Sequence, residues 1–180
     1  MGIRLLLSKI YRDLMSKEKY VDHLRKKGVV IGDSCEIYTD SDFGSEPFLI
    51  TIGSHVRINC GVRFITHDGG AWILRDKRFN NYVSSSVSKY GRIIVENNVH
   101  IGTNAIIMPN VRIGENSIIA CGAIVTRNVP KNSIVGGIPA RVIEDVNTYL
   151  EKNRSKLLDM KEKPSTISWK DYILENTPDV

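Results

Sequence analysis

The stretch of sequence that decides the fold is VENNVHIGTNAIIMPNVRIGENSIIACGAIVTRNV, residues 95–129. A β-branched aliphatic residue recurs in it at every sixth position: Val95, Ile101, Ile107, Ile113, Ile119 and Val125. Four residues after each of these comes a second set of small or β-branched residues: Val99, Ala105, Val111, Ser117, Ala123 and Val129. An amphipathic helix would repeat apolar residues every three or four positions and a plain strand would alternate, so neither explains this period.

The period predicts a coil with flat faces, in which each face is a short strand and each corner is a tight turn. The β-branched side chains point inward and stack on their equivalents in the next turn of the coil. Glycine and asparagine suit the corners because they tolerate positive φ. They recur at fixed places in the repeat, as Gly102, Gly114, Asn98, Asn104, Asn110 and Asn116. The whole pattern is that of a hexapeptide β-helix.

The same period occurs earlier in the chain in different phases. One set, six residues apart, is Ile31, Ile37, Phe43 and Leu49, and the next is Ile52, Ile58 and Phe64, with Val56 and Val62 four positions on. Because the phase moves by three residues between Leu49 and Ile52, we expect an enlarged corner at residues 45–47. Together these sets extend the predicted coil back to about residue 29.

Residues 69–92 interrupt the period and predict an extruded loop. The segment contains Trp72, Phe79, Tyr82 and Tyr90, and it carries five basic residues, Arg75, Lys77, Arg78, Lys89 and Arg92, against one acid, Asp76. Long irregular loops in compact domains are uncommon and often functional. The loop is therefore a candidate part of a binding site.

Helical patterns flank the coil. Residues 3–27 carry an apolar stripe, Ile3, Leu6, Leu7, Ile10 and Leu14, and Gly28 is a stop signal. A helix is also expected over 145–160, and a capping box formed by Ser168 and Asp171 predicts a second one over 169–176. The sequence thus predicts a mainly β protein with an N-terminal helical segment (1–28), a β-helix domain with one loop (29–143) and a C-terminal helical extension (144–180).

Composition excludes several classes of protein. The chain has 180 residues, of which 42% are hydrophobic and 25% charged, so it is neither disordered nor long enough for several domains. Because the sequence has no apolar run of about 20 residues and no signal-peptide pattern, we expect a cytoplasmic protein. A net charge of +5 without a dense Lys/Arg stripe argues against nucleic acid as a partner. Cys35, Cys60 and Cys121 form no CxxC pair, which disfavours a disulfide framework or a zinc site.

Three stretches resemble the hexapeptide-repeat acyltransferases, which are left-handed parallel β-helices: residues 52–69, 97–130 and 134–143. Within that family the chain is most similar to the maltose, galactoside and streptogramin O-acetyltransferases and to the sugar O-acetyltransferases of capsule and O-antigen gene sets. The resemblance implies a homotrimer with active sites between subunits, acetyl-CoA as the donor, a sugar acceptor and no metal. It also implies the left-handed sense of the coil, which the spacing alone does not determine.

His67 is the expected catalytic residue. It stands where the repeat stops and the loop begins, and in the resembling enzymes a histidine in this place is the general base. An imidazole with a pKa near about 6.5 can take the proton of an attacking hydroxyl group. Asp68 and Glu46 are candidate acceptor-binding residues. Glu46 could bind sugar hydroxyls or orient His67, and Asp68 could hold the imidazole tautomer of His67 or instead cap the turn into Gly69 and Gly70.

The resemblance places the acetyl-CoA site along the coil. Thr103, Cys121 and Thr126 match small or polar positions there, and Arg127 and Arg141 match basic positions that contact coenzyme A phosphates. His100 departs from the family pattern, because many relatives carry tryptophan in NNVWIG where this chain has NNVHIG. We expect His100 to line the donor channel or to be structural.

Several alternatives remain open at this level. The acceptor could be an amine on a nucleotide sugar, serine or an antibiotic hydroxyl group. A γ-type carbonic anhydrase uses the same coil, but His55, His67 and His100 lack its close histidine pair. The protein could also be a trimeric scaffold whose basic, amphipathic segment at residues 3–14 binds a membrane surface.

Overall fold

The computed structural model describes residues 15–177, in two compact units, of which the first ends at Val146 and the second begins at Asn147. The described part of the first unit contains helix α1 (Lys17–Lys26), a series of short strands and several 3-10 turns. The strands are β1 (Val30–Ile31), β2 (Glu36–Ile37), β3 (Ile50–Ile52), β4 (Arg57–Ile58), β5 (Arg63–Phe64), β6 (His67–Asp68), β7 (Lys89–Tyr90), β8 (Ile93–Val95), β9 (Val99–Ile101), β10 (Ile106–Ile107), β11 (Arg112–Ile113), β12 (Ser117–Ile119), β13 (Ile124–Val125), β14 (Ser133–Gly137) and β15 (Ala140–Asp145).

Most of these strands form three parallel sheets that the chain visits in rotation. Sheet A has the order β1-β3-β8-β11, sheet B the order β2-β4-β9-β12-β14, and sheet C the order β5-β10-β13. The chain passes from sheet A to B to C and back to A, turn after turn, so it winds as a coil with A–B, B–C and C–A edges. Strand β15 ends the coil by pairing antiparallel with β14 at the margin of sheet B.

The core is the inside of this coil, as the period of six predicts. Ile58, Ile101 and Ile119 lie in register on β4, β9 and β12, and each is fully buried. All members of the two sets in residues 95–129 are buried as well. Burying one such side chain contributes about 1.5–3 kcal/mol, so the stacked columns supply most of the stabilisation of the coil.

The corners use asparagine and glycine for two different reasons, which corrects the expectation that both serve positive φ. Asn98, Asn104, Asn110, Asn116 and Asn132 all have φ between 54° and 62°, in the left-handed region. Gly102 and Gly114 do not have positive φ. A Cβ atom there would lie 2.7 Å from the backbone nitrogen of Cys121 and 2.6 Å from that of Lys131, so these glycines permit close approach between turns.

The C–A edge is enlarged at two places, and both were predicted. The first is a 3-10 turn at Pro47–Leu49, and the second is the insertion between β5 and β8. The inward position assigned to Leu49 was wrong: Leu49 is half-buried in the 3-10 turn, and Ile50 is the buried residue instead. The turn adds residues between two repeats, so the period of six does not continue through it.

The insertion at residues 69–92 has short regular elements of its own. It contains 3-10 turns at Gly69–Arg75 and Lys77–Phe79, and β7 pairs antiparallel with β6. The loop therefore returns to the coil beside the strand that carries His67.

Helix α1 closes one end of the core. The side chain of Ser16 caps it by accepting a hydrogen bond from the Lys19 backbone, and the helix buries Tyr20, Val21 and Leu24. The Tyr20 hydroxyl donates to the backbone oxygen of Ser41 at 2.9 Å. The predicted apolar stripe at residues 3–14 lies outside the described residues.

The C-terminal part of the chain carries two short helices, α2 (Val146–Asn153) and α3 (Trp169–Asn176). The first is shorter than the predicted 145–160 and continues only as a 3-10 turn at Arg154–Lys156. The second agrees with the capping-box prediction, because the Asp171 backbone donates to Ser168 Oγ at 3.1 Å. Over residues 15–177, no helix has both the length and the apolar character needed to cross a membrane.

Candidate active site

The candidate active site lies at the C–A edge, where both insertions leave the coil. Glu46 immediately precedes the 3-10 turn at Pro47–Leu49, and His67 begins β6 directly after sheet C. The two residues are 21 positions apart in the chain, yet the insertions come from adjacent turns of the coil and bring them into contact. Where the repeat is interrupted, polar side chains therefore lie together at one edge of the coil, outside the core.

A hydrogen bond joins these two side chains. His67 Nδ1 lies 3.0 Å from Glu46 Oε2. Because an ionised carboxylate can only accept, Nδ1 carries the proton and donates it to Glu46. The neutral imidazole then keeps its lone pair on Nε2, which is the atom that can act as a base. Half of the His67 side chain is exposed, so a substrate can reach the ring.

Thr66 holds Glu46 from the opposite side. Its buried hydroxyl donates to the same oxygen, Glu46 Oε2, at 2.6 Å. The hydrogen bonds from Thr66 and then from His67 lower the pKa of Glu46 below its ordinary 4.5. Glu46 is therefore ionised near neutral pH and fixes the tautomer and the orientation of the imidazole.

Asp68 takes the role of a turn cap. Its Oδ1 accepts a hydrogen bond from the Gly70 backbone at 2.9 Å, and Lys89 Nζ lies 3.4 Å from its Oδ2. The Gly70 bond, followed by that from Lys89, lowers the pKa of Asp68. Within the described residues Asp68 makes no hydrogen bond to His67, in line with the opposite directions of consecutive strand side chains.

A cavity of about 230 Å³ opens beside His67. The paired strands β6 and β7 form one wall, and the ring of Tyr90 meets the His67 ring edge-on at 6.3 Å between centroids. The loop supplies the rest of the lining: Gly69, Ala71, Trp72, Arg75, Ser88 and Lys89. The predicted loop therefore forms a pocket directly over the candidate base.

The predicted donor-site residues lie on other parts of the coil. Thr126 and Arg127 follow β13 at the same C–A edge, whereas Thr103 and Cys121 lie at the B–C edge. Arg141 is on β15, and His100 is on the face of sheet B. One chain therefore brings together His67, Glu46 and Asp68 and leaves the other six residues distributed over four places on the coil.

The two arginines fit a phosphate-binding role. Both are exposed, and no carboxylate among residues 15–177 forms an ion pair with either one. The Arg141 side chain donates from Nη1 to the Ala140 oxygen at 2.9 Å. Their guanidinium groups are thus free to grip phosphate oxygens bidentately.

His100 lines a second, larger cavity of about 480 Å³ on the face of sheet B. Its neighbours there include Glu36, Arg57 and Ile118. Burial lowers the pKa of His100, and the positive charge of Arg57 lowers it further, so the ring is neutral near pH 7. This placement suits a channel-lining residue rather than a partner of His67.

Sequence reasoning missed Thr66 and did not separate the loop residues by role. A threonine at an inward position could have indicated a polar contact, because a buried hydroxyl group requires a hydrogen-bond partner. The contributions of Trp72, Arg75, Lys89 and Tyr90 depend on the path of the loop, which no repeat encodes.

Comparison with known proteins places these features in context. Residues 92–127 match the family described as bacterial transferase hexapeptide (six repeats). The chain is 44% identical over 148 residues to Protein CapG of Staphylococcus aureus, an alignment that covers 81% of this chain and 83% of that protein.

Two solved structures share the fold. A hexapeptide-repeat acetyltransferase from Vibrio cholerae, solved in complex with acetyl-CoA, is 24% identical with a TM-score of 0.52 and covers 76% of this chain and 82% of that one. The polySia-specific acetyltransferase NeuO is 27% identical with a TM-score of 0.54, over 65% of this chain and 51% of its own. This chain therefore matches about half the length of NeuO.

Proposed function

Because the chain belongs to the hexapeptide-repeat acyltransferase family, we propose that it transfers an acetyl group from acetyl-CoA to a sugar hydroxyl group, with His67 as the general base. The observation that carries this proposal is the hydrogen bond between His67 Nδ1 and Glu46 Oε2, which makes Nε2 the ring nitrogen available to accept a proton in a residue that lines a cavity. A base held in one tautomer next to a binding pocket is what acyl transfer to a weak nucleophile requires.

The reaction proceeds by direct attack. As His67 Nε2 takes the hydroxyl proton, the sugar oxygen bonds to the thioester carbonyl carbon. The carbon–sulfur bond then breaks, and the imidazolium returns the proton to the departing thiolate, which leaves coenzyme A and an acetyl ester. Glu46 stabilises the imidazolium that forms in between, because its carboxylate already accepts from Nδ1. General base catalysis of this kind contributes about 10²–10⁴-fold.

The exposed guanidinium groups of Arg127 and Arg141, which pair with no carboxylate among residues 15–177, support coenzyme A as the donor. The similarity to a polySia-specific acetyltransferase supports a saccharide acceptor. We place the reaction in the assembly of a surface polysaccharide in the cytoplasm, in a left-handed coil that functions as a homotrimer. An active site between subunits would explain why the predicted residues occupy four separate places on one chain.

The test is acetyl transfer from acetyl-CoA to a panel of sugars, followed through the released thiol. We expect His67→Asn to lower kcat by about 10²–10⁴-fold. His23→Asn is the matched control, because it removes an imidazole from helix α1, whose residues line neither the cavity beside His67 nor the cavity beside His100.

Full turnover by His67→Asn would overturn the mechanism. Treatment of the product with mild alkali separates the two acceptor classes, since an acetyl ester is cleaved and an acetamide survives. A product that survives alkali would instead establish N-acetylation, the alternative that the sequence leaves open.

A further inference from the structure

The wall of the cavity beside His67 combines aromatic rings with positive charge. Trp72 is 72% exposed and Tyr90 is 55% exposed, although both line the cavity. Flat aromatic faces of this kind pack against the apolar faces of ring-shaped ligands. The volume of the cavity, about 230 Å³, is smaller than the roughly 300–1,000 Å³ of pockets for drug-sized ligands. A cavity of this size suits one sugar ring.

Arg75 is held in place on this wall. Its Nε donates to the Val87 oxygen at 3.0 Å, and its Nη2 donates to Ser88 Oγ at 2.8 Å. The guanidinium group also lies over Trp72, with its central carbon 5.7 Å from the ring centroid. These contacts orient a half-buried group without neutralising its charge.

Arg75 differs in its partners from two other cations of the loop, Arg78 and Lys89. Arg78 pairs with Asp76 at 2.9 Å, and Lys89 lies 3.4 Å from Asp68, the carboxylate on the cavity wall. Within the described part of the chain, no carboxylate forms an ion pair with Arg75, and Nη1 donates to no atom. A fixed guanidinium group with free donors that faces a pocket is suited to a bidentate bond with an anion.

We propose that the acceptor is an anionic sugar, whose acidic group binds Arg75 while its ring packs against Trp72 and its hydroxyl group faces His67. This inference rests on the proposed function and specifies its acceptor. A carboxylate and a phosphate would satisfy Arg75 equally well, because both present two oxygens in one plane to the guanidinium fork. Because Asp68 pairs with Lys89, Arg75 is the cation of the cavity lining that pairs with no carboxylate among residues 15–177.

Trp72 itself provides the readout. The chain has two tryptophans, Trp72 and Trp169, so a Trp169→Phe background leaves the cavity tryptophan as the sole indole. We would titrate this protein with methyl glucoside, glucuronate and glucose 6-phosphate, which share a ring and differ in charge at one carbon. At low ionic strength we expect at least one acidic probe to bind about tenfold or more tightly than the neutral one. Whichever acidic probe binds more tightly identifies the acidic group.

Arg75→Gln should abolish this preference, whereas Arg78→Gln removes the same charge from the same loop and should keep it. Arg75→Lys keeps the positive charge but lacks the two parallel N–H donors of the guanidinium group, so it should retain part of the preference. A retained preference in this variant shows that loss in Arg75→Gln is not caused by misfolding. Equal binding of all three probes, absence of quenching by any of them, or equal effects of the two glutamine variants would overturn the proposal.

The chemistry is tested separately. His67→Asn should lose transfer and keep the charge preference. If the wild-type protein acetylates neutral sugars but shows no preference for the acidic probes, the role of Arg75 is refuted and the proposed function stands.

Discussion

At the scale of single residues, the site depends on a carboxylate that accepts two hydrogen bonds on one oxygen. Glu46 Oε2 accepts from Thr66 at 2.6 Å and from His67 at 3.0 Å. A shared acceptor couples the position of the imidazole to a buried hydroxyl group, so Thr66 positions the base without touching it. The same hydrogen bonds lower the pKa of Glu46 and give the arrangement a characteristic pH dependence.

We expect Thr66→Val to destabilise the protein at pH 7 and to do so less in acid. The lost hydrogen bond to a charged group contributes about 1.5–3 kcal/mol. A carboxyl group whose pKa is lowered by folding stabilises the native state above its unfolded pKa of 4.5, and this contribution is lost as the pH falls through the lower folded value. The deficit of Thr66→Val in urea-unfolding free energy should therefore shrink below pH 4.5.

Thr66→Ser is the control for this measurement. It removes a methyl group and keeps the hydroxyl donor, so its deficit should not change as Glu46 becomes protonated. A Thr66→Val deficit of the same size at pH 7 and in acid would contradict the role assigned to the Thr66 hydroxyl group.

The sequence predicts one member of this site more readily than the others. His67 is evident because the repeat ends there. Its contact with Glu46 was one of two roles open to that carboxylate, because it depends on how the turn at Pro47–Leu49 folds. Arg75 could be identified as basic but not as unpaired, since its neighbours are set by the irregular path of the loop.

At the scale of elements, the coil is predictable because each turn repeats the same arrangement: three short strands, each with a buried side chain that packs inside the coil. One inward aliphatic residue per face is enough to set the register, as the stacked Ile58, Ile101 and Ile119 demonstrate. The prediction fails at Leu49, where an insertion of polar residues and a proline changes the phase. The period describes uninterrupted turns and contains no information on how an enlarged edge folds.

At the A–B edge, this repetition produces a ladder of asparagine side chains that are hydrogen-bonded to one another. The side chain of Asn98 donates to that of Asn116 at 2.8 Å, and Asn116 donates to Asn132 at 2.9 Å. All three have positive φ, so one residue type satisfies both the backbone conformation and the bonding between successive turns. The ladder links neighbouring turns through side chains in addition to the backbone bonds of the sheets.

Substitutions at Asn116 separate these two contributions. Asn116→Gly keeps the left-handed conformation and loses the hydrogen bonds, at about 0.5–1.5 kcal/mol for each bond. Asn116→Ala loses the same bonds and, unlike the glycine variant, keeps a Cβ atom strained at positive φ, which costs about 1–2 kcal/mol relative to glycine. Urea unfolding should rank the wild type first, the glycine variant second and the alanine variant last. An alanine variant as stable as the glycine variant would contradict the contribution of strain.

At the scale of the whole molecule, the distribution of site residues requires explanation. His67 and Glu46 lie at the C–A edge, whereas Arg141 lies on β15 beside sheet B. The hairpin of β14 and β15 also exposes apolar side chains, with Ile138 73%, Val142 56% and Ile143 63% exposed. A partner subunit that covers this hairpin would bring its own C–A edge to Arg141 and complete the site.

Mixed assemblies test whether two subunits share one site. The wild type should behave in solution as a species of about three times its 20.2 kDa mass. We expect His67→Asn and Arg141→Gln, each defective alone at low acetyl-CoA, to recover about a quarter of wild-type activity when coexpressed, since random assembly gives that share of interfaces with both residues intact. Coexpression of His67→Asn with Glu46→Gln is the control. It should recover no activity beyond that of the separate variants, because His67 and Glu46 act together within one subunit and no mixed interface then has both intact. If the first pair is no more active than its separate variants, then His67 and Arg141 do not meet across an interface, and the trimeric site must be abandoned.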